Sequence, residues 1–267
     1  MPKGHHGVGG YIGASGTYTS GGRFDLKDQQ FLTSSNLWTP TIPTSGLLFQ
    51  LDASLTSSYP GSGTTWTDIS GNGRNGTINN TSAVTFVAAS GGQPAYFNFA
   101  GGADTAYIYQ TAGTTSNVYD VVIGLQVSPT TNVLGGIFLP TQTLGGDKSL
   151  RLSGATISTT WGIRGPAGSA QPTDANDWQN GQETYSTINN NTSIASPNTY
   201  AVNTWGILRS YSTNSNFTRP MSWQIGAGAY TGRWFIGKIN FMLGYSRQLS
   251  TAEVTQIYNA YRGRYGI

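Results

Sequence analysis

Short apolar runs separated by turn-forming residues dominate the chain from Gly46 onward. Gly, Pro, Asn and Ser bound these runs, and short runs between such residues are typical of β-strands. The predicted strands are Leu47–Asp52, Ala83–Ala88, Pro94–Phe99, Ala106–Gln110, Asp120–Val127, Gly136–Leu139, Ser149–Leu152, Thr156–Ile163, Thr204–Ser210, Met221–Ile225 and Phe235–Tyr245. So many short strands indicate an all-β, antiparallel β-sandwich or jelly roll rather than a parallel α/β sheet.

Only the C-terminal end of the chain has strong helical periodicity. Ser250 and Glu253 have the spacing of a capping box, in which each side chain accepts a hydrogen bond from the backbone N–H of the other residue. The apolar residues that follow at helical spacing are Val254, Ile257, Tyr258 and Tyr261. This pattern predicts a short helix that packs on the sandwich through one stripe and ends at Gly263.

The first part of the chain has a different character. Residues 1–22 contain eight glycines and few large apolar side chains. Alone, such a stretch cannot offset the entropy cost of its own ordering. It is therefore either a flexible tail or an extended N-terminal arm that becomes ordered along a neighbouring subunit.

An amphipathic segment, residues 23–38, leads into an extended linker that contains Pro40 and Pro43. This segment needs a surface to pack on, which is either the sandwich or another protein. The candidate partner-binding residues are Phe24, Leu26, Phe31, Leu37 and Trp38. We accordingly divide the chain into an arm and anchoring segment, residues 1–45, and a β-sandwich, residues 46–267.

The composition is unusually poor in charge. Charged residues make up 9% of the chain, which also has 37 glycines and 12% aromatic residues. The formal net charge of +3 comes from scattered residues, which argues against nucleic-acid binding. The absence of cysteine excludes disulfides and thiolate metal sites.

The chain shows no targeting or membrane signal. No apolar region of the signal-peptide type follows the N-terminal Met1–His6, and no apolar run approaches the length of a membrane span. We expect synthesis in a host cytoplasm without a signal peptide, and no membrane association.

Three sequence blocks together resemble the concanavalin-A-like lectin/glucanase superfamily, in its laminin-G-like branch. They are WTDISGNGRNGT at 66–77, YFNFAGGADTAYI at 96–108, and FIGKI at 235–239 followed by YSRQLS at 245–250. The resemblance implies one concanavalin-A-like jelly-roll sandwich over residues 46–267. It adds a hairpin turn at Asn180–Gly181 but covers little else between about 111 and 230.

The run GGRFDLKDQQ at 21–30, with NLWTP at 36–40, is similar to a leader of tailed-bacteriophage structural proteins. This resemblance implies a virion location and other virion proteins as partners, above all the major capsid protein. Our first interpretation is a capsid decoration or cement protein that displays a lectin-like domain. The alternative is an adhesin of a phage tail or fibre that binds host surface glycans, and a homo-oligomer stays open in both.

The residues needed for catalysis are scarce. Glycosidases use a pair of carboxylates across the scissile bond, but the glutamates are Glu183 and Glu253 alone, and no predicted strand carries alternating acids. The two histidines, His5 and His6, lie in the Gly-rich tail, so they cannot serve as a base in a folded site. We therefore expect no enzymatic activity.

Two kinds of ligand remain. The superfamily often binds calcium, and Asp68, Asn72 and Asp104 offer oxygen ligands in its motif loops, although these side chains can equally bond their own turns. No other cofactor is expected. The candidate glycan-binding aromatics, which lie in or beside expected loops, are Trp161, Trp178, Tyr185 and Tyr230. Trp66, Trp205 and Trp234 are expected to pack inside.

Overall fold

The computed structural model describes residues 41–110, 118–129, 136–140, 150–153, 160–164, 184–189, 192–193, 200–212, 222–226 and 234–267. In these ranges, none of the helices has the length and hydropathy of a membrane span.

The described strands form two antiparallel sheets. Sheet I has the order β12-β11-β14-β7-β16-β5-β4, with β1 also paired to β16, and sheet II has the order β13-β10-β9-β8-β15-β6-β3-β2. The strands are β1 Leu47–Asp52, β2 Thr65–Trp66, β3 Gly76–Ile78, β4 Val84–Val87, β5 Tyr96–Phe99, β6 Ile108–Gln110, β7 Asp120–Val127, β8 Gly136–Pro140, β9 Leu150–Ser153, β10 Thr160–Arg164, β11 Thr184–Ile188, β12 Thr192–Ser193, β13 Tyr200–Ala201, β14 Trp205–Ser212, β15 Trp223–Ile225 and β16 Gly237–Tyr245.

Within the described ranges, these sheets and the helix that follows them confirm the predicted fold class, an all-β antiparallel sandwich with a short C-terminal helix. β1 and β7 have the predicted bounds to the residue. Five strands were not predicted, because they are short and carry no extended apolar run: β2, β3, β11, β12 and β13. Such strands form because neighbouring strands pair with them, and their own side chains give little signal.

The main hydrophobic core lies between the two sheets. Alternate residues of β7, from Val121 to Val127, point into it and meet large side chains of sheet II such as Trp66, Trp223 and Phe138. Trp66 packs against Phe97 with ring centroids 4.8 Å apart. The prediction that Trp66 is a packing residue is confirmed.

A second core covers the outer face of sheet I. Val122, Ile207, Phe241 and Leu243 point away from the first core and pack against the C-terminal helix. The centre of sheet I is therefore buried on both faces, which explains why all eight residues of β7 are buried.

The helix, α1, spans Thr251–Tyr261 and begins with the predicted capping box between Ser250 and Glu253. The α-helix ends at Tyr261, two residues before the predicted stop at Gly263. Gly263 does not have the left-handed conformation of a glycine cap, because the chain continues through a 3-10 turn, Arg262–Arg264, in which Gly263 is buried. This turn brings the Arg264 side chain back to the sheet.

Residues 41–45 are part of the folded body. Ile42 is buried in the second core, and the Pro43 carbonyl accepts a hydrogen bond from the Tyr245 hydroxyl at 3.1 Å. The segment predicted as a linker therefore lies against sheet I and α1. The five candidate partner-binding residues, Phe24, Leu26, Phe31, Leu37 and Trp38, lie outside the described residues.

Candidate functional site

Two tyrosines lie on the outer face of sheet II: Tyr109 in β6 and Tyr107 just before it. Ile108 points into the main core, so its neighbours Tyr107 and Tyr109 point outward, because successive side chains of an extended chain alternate between faces. Both tyrosines are half-buried. Their ring centroids are 5.7 Å apart with the rings nearly perpendicular, which holds both rings in place at the surface.

Hydrogen-bonding side chains flank the second tyrosine on both sides. Tyr109 lies opposite Thr77 of β3 and opposite Gln224 of β15, and Thr77 in turn lies opposite Thr65 of β2. We call Thr65, Thr77, Tyr107, Tyr109 and Gln224 the tyrosine row. It crosses four strands, or about 14 Å at the usual strand spacing, and contains no charged residue.

The outer face of sheet I is closed by contrast. Asp120 at the start of β7 accepts the single Arg209 Nε–H, shared between its two carboxylate oxygens at 3.1 and 3.0 Å, and a hydrogen bond from Arg209 Nη2 at 2.5 Å. It also accepts one from the Leu249 backbone N–H at 3.0 Å. The Arg209 guanidinium also donates to the Leu249 carbonyl at 2.9 Å. This network ties the segment between β16 and α1 to the sheet.

A second buried ion pair joins the C-terminal turn to β1. Arg264 donates from both terminal nitrogens to Asp52, at 2.8 and 2.9 Å, and neither side chain is more than 5% exposed. Asn240 lies at a register irregularity in β16 and accepts from Arg264 and from the Tyr265 hydroxyl. Burial raises the pKa of Tyr265 well above its ordinary value, so this hydroxyl remains a donor at neutral pH.

An aromatic cluster closes the rest of this face. Trp205 stacks on Tyr265 with centroids 5.0 Å apart and meets Tyr96 edge-on at 5.9 Å. Its indole N–H donates to the Gln93 side chain at 2.7 Å. Trp205 is only 5% exposed, as predicted for a packing residue, whereas Trp234 is half-buried.

The predicted calcium residues Asp68 and Asn72 bond the turn in which they lie. The Asp68 carboxylate accepts four hydrogen bonds, from the backbone N–H groups of Gln50, Ser70 and Arg74 and from the Ser70 hydroxyl, each at 2.9 Å. The Asn72 amide donates to the carbonyls of Leu47 and Leu48, at 3.0 and 3.2 Å.

This geometry favours the alternative in which these side chains stabilise turns. Together Asp68 and Asn72 bond β1 along its outer edge, where unpaired backbone groups would otherwise invite another strand. Asp104, the third candidate, is exposed in the turn between β5 and β6. Within the described ranges, no three His, Asp or Glu side chains group as a metal site would require. Calcium binding stays a prediction.

The described carboxylates are mostly engaged in structural contacts. Asp52 and Asp120 are in ion pairs, Asp68 is in its turn, and Glu253 caps α1 and pairs with Arg247. A glycosidase needs two carboxylates that face one substrate. These four are held in place by other protein groups, so none of them is arranged for that chemistry.

The predicted glycan-binding residues are only partly described. Trp161 lies in β10 opposite Tyr200, and Tyr185 lies in β11 opposite Tyr211, and for both the description covers the backbone only. Trp178 and Tyr230 lie outside the described residues.

The sequence analysis missed the tyrosine row although a signal was present. In the run Tyr107-Ile108-Tyr109, the alternation places the two rings on the face opposite to the isoleucine. The prediction of glycan-binding residues considered aromatics near loops and did not consider those on strands.

Comparison with solved structures shows a likeness of fold. The chain matches Trypanosoma rangeli sialidase, solved in complex with sialic acid, with a TM-score of 0.50 and 12% identity over 87% of this chain and 37% of the sialidase. It also matches domain 4 of AbnA, a GH43 extracellular arabinanase from Geobacillus stearothermophilus, solved in complex with arabinotriose, with a TM-score of 0.44 and 15% identity over 80% of this chain and 98% of that domain.

The chain thus spans little more than a third of the sialidase to which it is similar. No family model and no curated protein matches the sequence. At 12% identity, the similarity to the sialidase concerns the fold alone.

Proposed function

We propose that the sandwich is a non-catalytic, lectin-like domain that binds a neutral glycan through the tyrosine row. The observation that carries this proposal is the placement of Tyr109, an outward ring between the side chains of Thr77 and Gln224. An aromatic ring packs against the apolar C–H face of a sugar, while hydroxyl and amide groups exchange hydrogen bonds with the sugar hydroxyls.

The lack of charge in the row defines the class of glycan. A carboxylate or sulfate group on the sugar would lose bound water at the row and would gain no cationic partner there. Desolvation of an unpaired charge is unfavourable. The length of the row, about 14 Å across four strands, exceeds one sugar ring. We therefore expect it to contact consecutive units of a neutral oligosaccharide.

An array of neutral and acidic oligosaccharides tests this proposal. We expect Tyr109→Ala to reduce binding to neutral oligosaccharides at least about tenfold, which corresponds to about 1.4 kcal/mol. The matched control is Tyr96→Ala, which removes a half-buried tyrosine from the outer face of sheet I and should leave the array signal unchanged. Equal losses in the two variants, or no binding by the unaltered chain, would refute the proposal.

For the setting of this domain, we propose a bacteriophage virion, with the chain acting as a capsid decoration protein. The similarity of residues 21–40 to phage leaders supports this proposal, as does the cysteine-free, weakly charged composition. Because residues 41–45 contact the sandwich, the anchor reduces to residues 1–40.

Deletion of residues 1–40 tests the setting. We expect the shortened chain to keep its melting temperature and to be absent from purified particles. Loading of the shortened chain onto particles would contradict the anchoring role. The copy number of the full-length protein separates the two interpretations. A dozen or fewer copies per particle would favour the tail or fibre adhesin over the decoration protein.

A further inference from the structure

A polar side chain flanks Tyr107 as well as Tyr109. Asn79 follows β3, and its backbone N–H donates to the Tyr107 carbonyl at 3.0 Å. Ile78 lies in the main core whereas Asn79 is exposed, so the two side chains lie on opposite sides of sheet II. Asn79 therefore lies beside Tyr107 in the way that Thr77 lies beside Tyr109.

A hydrogen bond holds the Asn79 side chain in this position. Its amide nitrogen donates to the Thr105 carbonyl at 3.1 Å. Among the described residues, no group donates to the amide oxygen, Oδ1, so this atom can accept a hydrogen bond from a sugar hydroxyl. Tyr109 with Thr77 and Tyr107 with Asn79 are thus two similar pairs, each of one ring and one short polar side chain. They lie two residues apart along the chain, or about 7 Å.

The two tyrosine rings are inclined to each other. Their planes are 64° apart, and the edge-on contact between the rings, with centroids 5.7 Å apart, maintains this angle. A sugar ring stacks with its plane roughly parallel to that of the aromatic ring. Two sugar rings that each stack on one of these tyrosines must therefore differ in plane by a similar angle.

We infer that the tyrosine row selects neutral glycans with a twisted chain, one sugar unit lying at Tyr109 and Thr77 and the next at Tyr107 and Asn79. In a flat chain, such as a β-1,4-linked glucan, successive ring planes are nearly parallel, so only one unit at a time can stack. In a twisted chain, such as an α-1,4-linked glucan, successive planes are inclined and both units can stack. The inference rests on the proposed function and adds to it the shape of the glycan and the role of Asn79.

Three glucose tetrasaccharides that differ only in linkage test the chain shape. Cellotetraose, which is β-1,4-linked, is the flat probe, whereas maltotetraose, α-1,4-linked, and laminaritetraose, β-1,3-linked, are the twisted probes. Isothermal titration calorimetry of the full chain with each probe measures the dissociation constant. We expect at least one twisted probe to bind about tenfold more tightly than the flat one. If the chain binds a neutral glycan of another sugar instead, the flat or twisted shape of that glycan decides in the same way.

Substitutions in the second pair test its contribution. With the twisted glycan that binds best, Tyr107→Ala should weaken binding about tenfold and Asn79→Ala about fivefold. Tyr107→Phe keeps the ring and should bind as the unaltered chain does. The matched control is Asn98→Ala, which removes an amide from the outer face of sheet I and should leave binding unchanged.

Two results would overturn the inference alone: a flat glycan that binds as tightly as its twisted counterpart, or unaltered binding by both Tyr107→Ala and Asn79→Ala. In either case a loss of binding in Tyr109→Ala would still support the proposed function. If the unaltered chain binds no neutral glycan, the proposed function and the inference both fail. The comparison of probes uses the unaltered chain, so it decides even where a variant folds poorly.

Discussion

The two outer faces of the sandwich are used in opposite ways. On sheet I, α1, the C-terminal turn and Trp205 cover the strands, and two buried ion pairs, Asp120–Arg209 and Asp52–Arg264, join distant parts of the chain. On sheet II, the tyrosine row has rings and hydroxyls at the surface and no buried charge. The two buried ion pairs and the second core thus lie on the first face, whereas the second face presents polar and aromatic side chains at its surface.

The comparison also separates two uses of aromatic residues. Trp205 and Tyr261 are buried on the covered face, where they fill space. Tyr107 and Tyr109 are half-buried, and each exposes part of a ring. Burial depends here on what covers the sheet, since both kinds of residue sit on or next to strands. Four substitutions test this contrast, in order of expected effect.

Replacement of Asp52 should cause the largest loss of stability. Asp52→Asn leaves the Arg264 guanidinium buried without its carboxylate, and removal of one partner from a buried pair costs about 3–5 kcal/mol. Urea unfolding measures this loss. The matched control is Tyr261→Phe, which removes a buried hydroxyl whose closest polar neighbour, the Gln50 side chain, is not at hydrogen-bonding geometry, and it should change the free energy of unfolding by less than about 1 kcal/mol.

A side chain at Gly124 should destabilise the covered face to a smaller extent. Gly124→Ala places a methyl group against the Tyr265 hydroxyl and the Phe241 ring, and such overpacking costs about 1–3 kcal/mol. Thermal unfolding checks this expectation. A melting temperature equal to that of the unaltered protein would mean that the C-terminal turn does not pack on β7.

The capping box should contribute less, and its contribution should depend on pH. The hydrogen bond from Arg247, with those from Ser250, lowers the pKa of Glu253 from 4.5 to about 2. The stabilisation is therefore complete above about pH 4.5 and is lost as the pH falls towards about 2.

We expect Glu253→Gln to cost about 1 kcal/mol at neutral pH and nothing at about pH 2. Thermal unfolding across this pH range measures both values. A deficit of the same size at every pH would show that the ionised carboxylate does not stabilise α1.

Substitution within the tyrosine row should have the smallest effect on stability. Thr77→Ala should change the free energy of unfolding by less than about 0.5 kcal/mol and still weaken binding to neutral oligosaccharides. Urea unfolding and the glycan array measure the two quantities on the same preparation. A large loss of stability with unchanged binding would reverse the contrast between the faces.

Local signals in the sequence predicted part of this structure well. The apolar run of β7 and the spacing of Ser250 and Glu253 depend on near neighbours, so both could be identified directly. The strands β2 and β3 could not, because each has only two or three residues and is defined by its pairing with other strands. The helix ends next to Gly263 as predicted, but the 3-10 turn that follows was not predicted, and its Arg264 contacts the distant Asp52.

The candidate site shows the same division. The motif around Asp68 was recognised in the sequence, but its contacts with β1 indicate an edge-sealing role more than a ligand site. The alternation around Ile108 can be seen in the sequence, but the sequence does not indicate which outer face, that of sheet I or that of sheet II, is covered. That depends on the position of α1, which lies far along the chain.

By itself, the sequence determined the β-rich class, the start of the helix and the absence of disulfides, because composition and short-range spacing are properties of neighbouring residues. The tertiary structure alone decided which acids are paired, which tyrosines remain exposed and from which face the chain ends leave. The pairing of Asp52 with Arg264, 212 residues away, illustrates the reason. Burial and charge pairing arise from contacts between distant segments, and they exist only once the two sheets have packed.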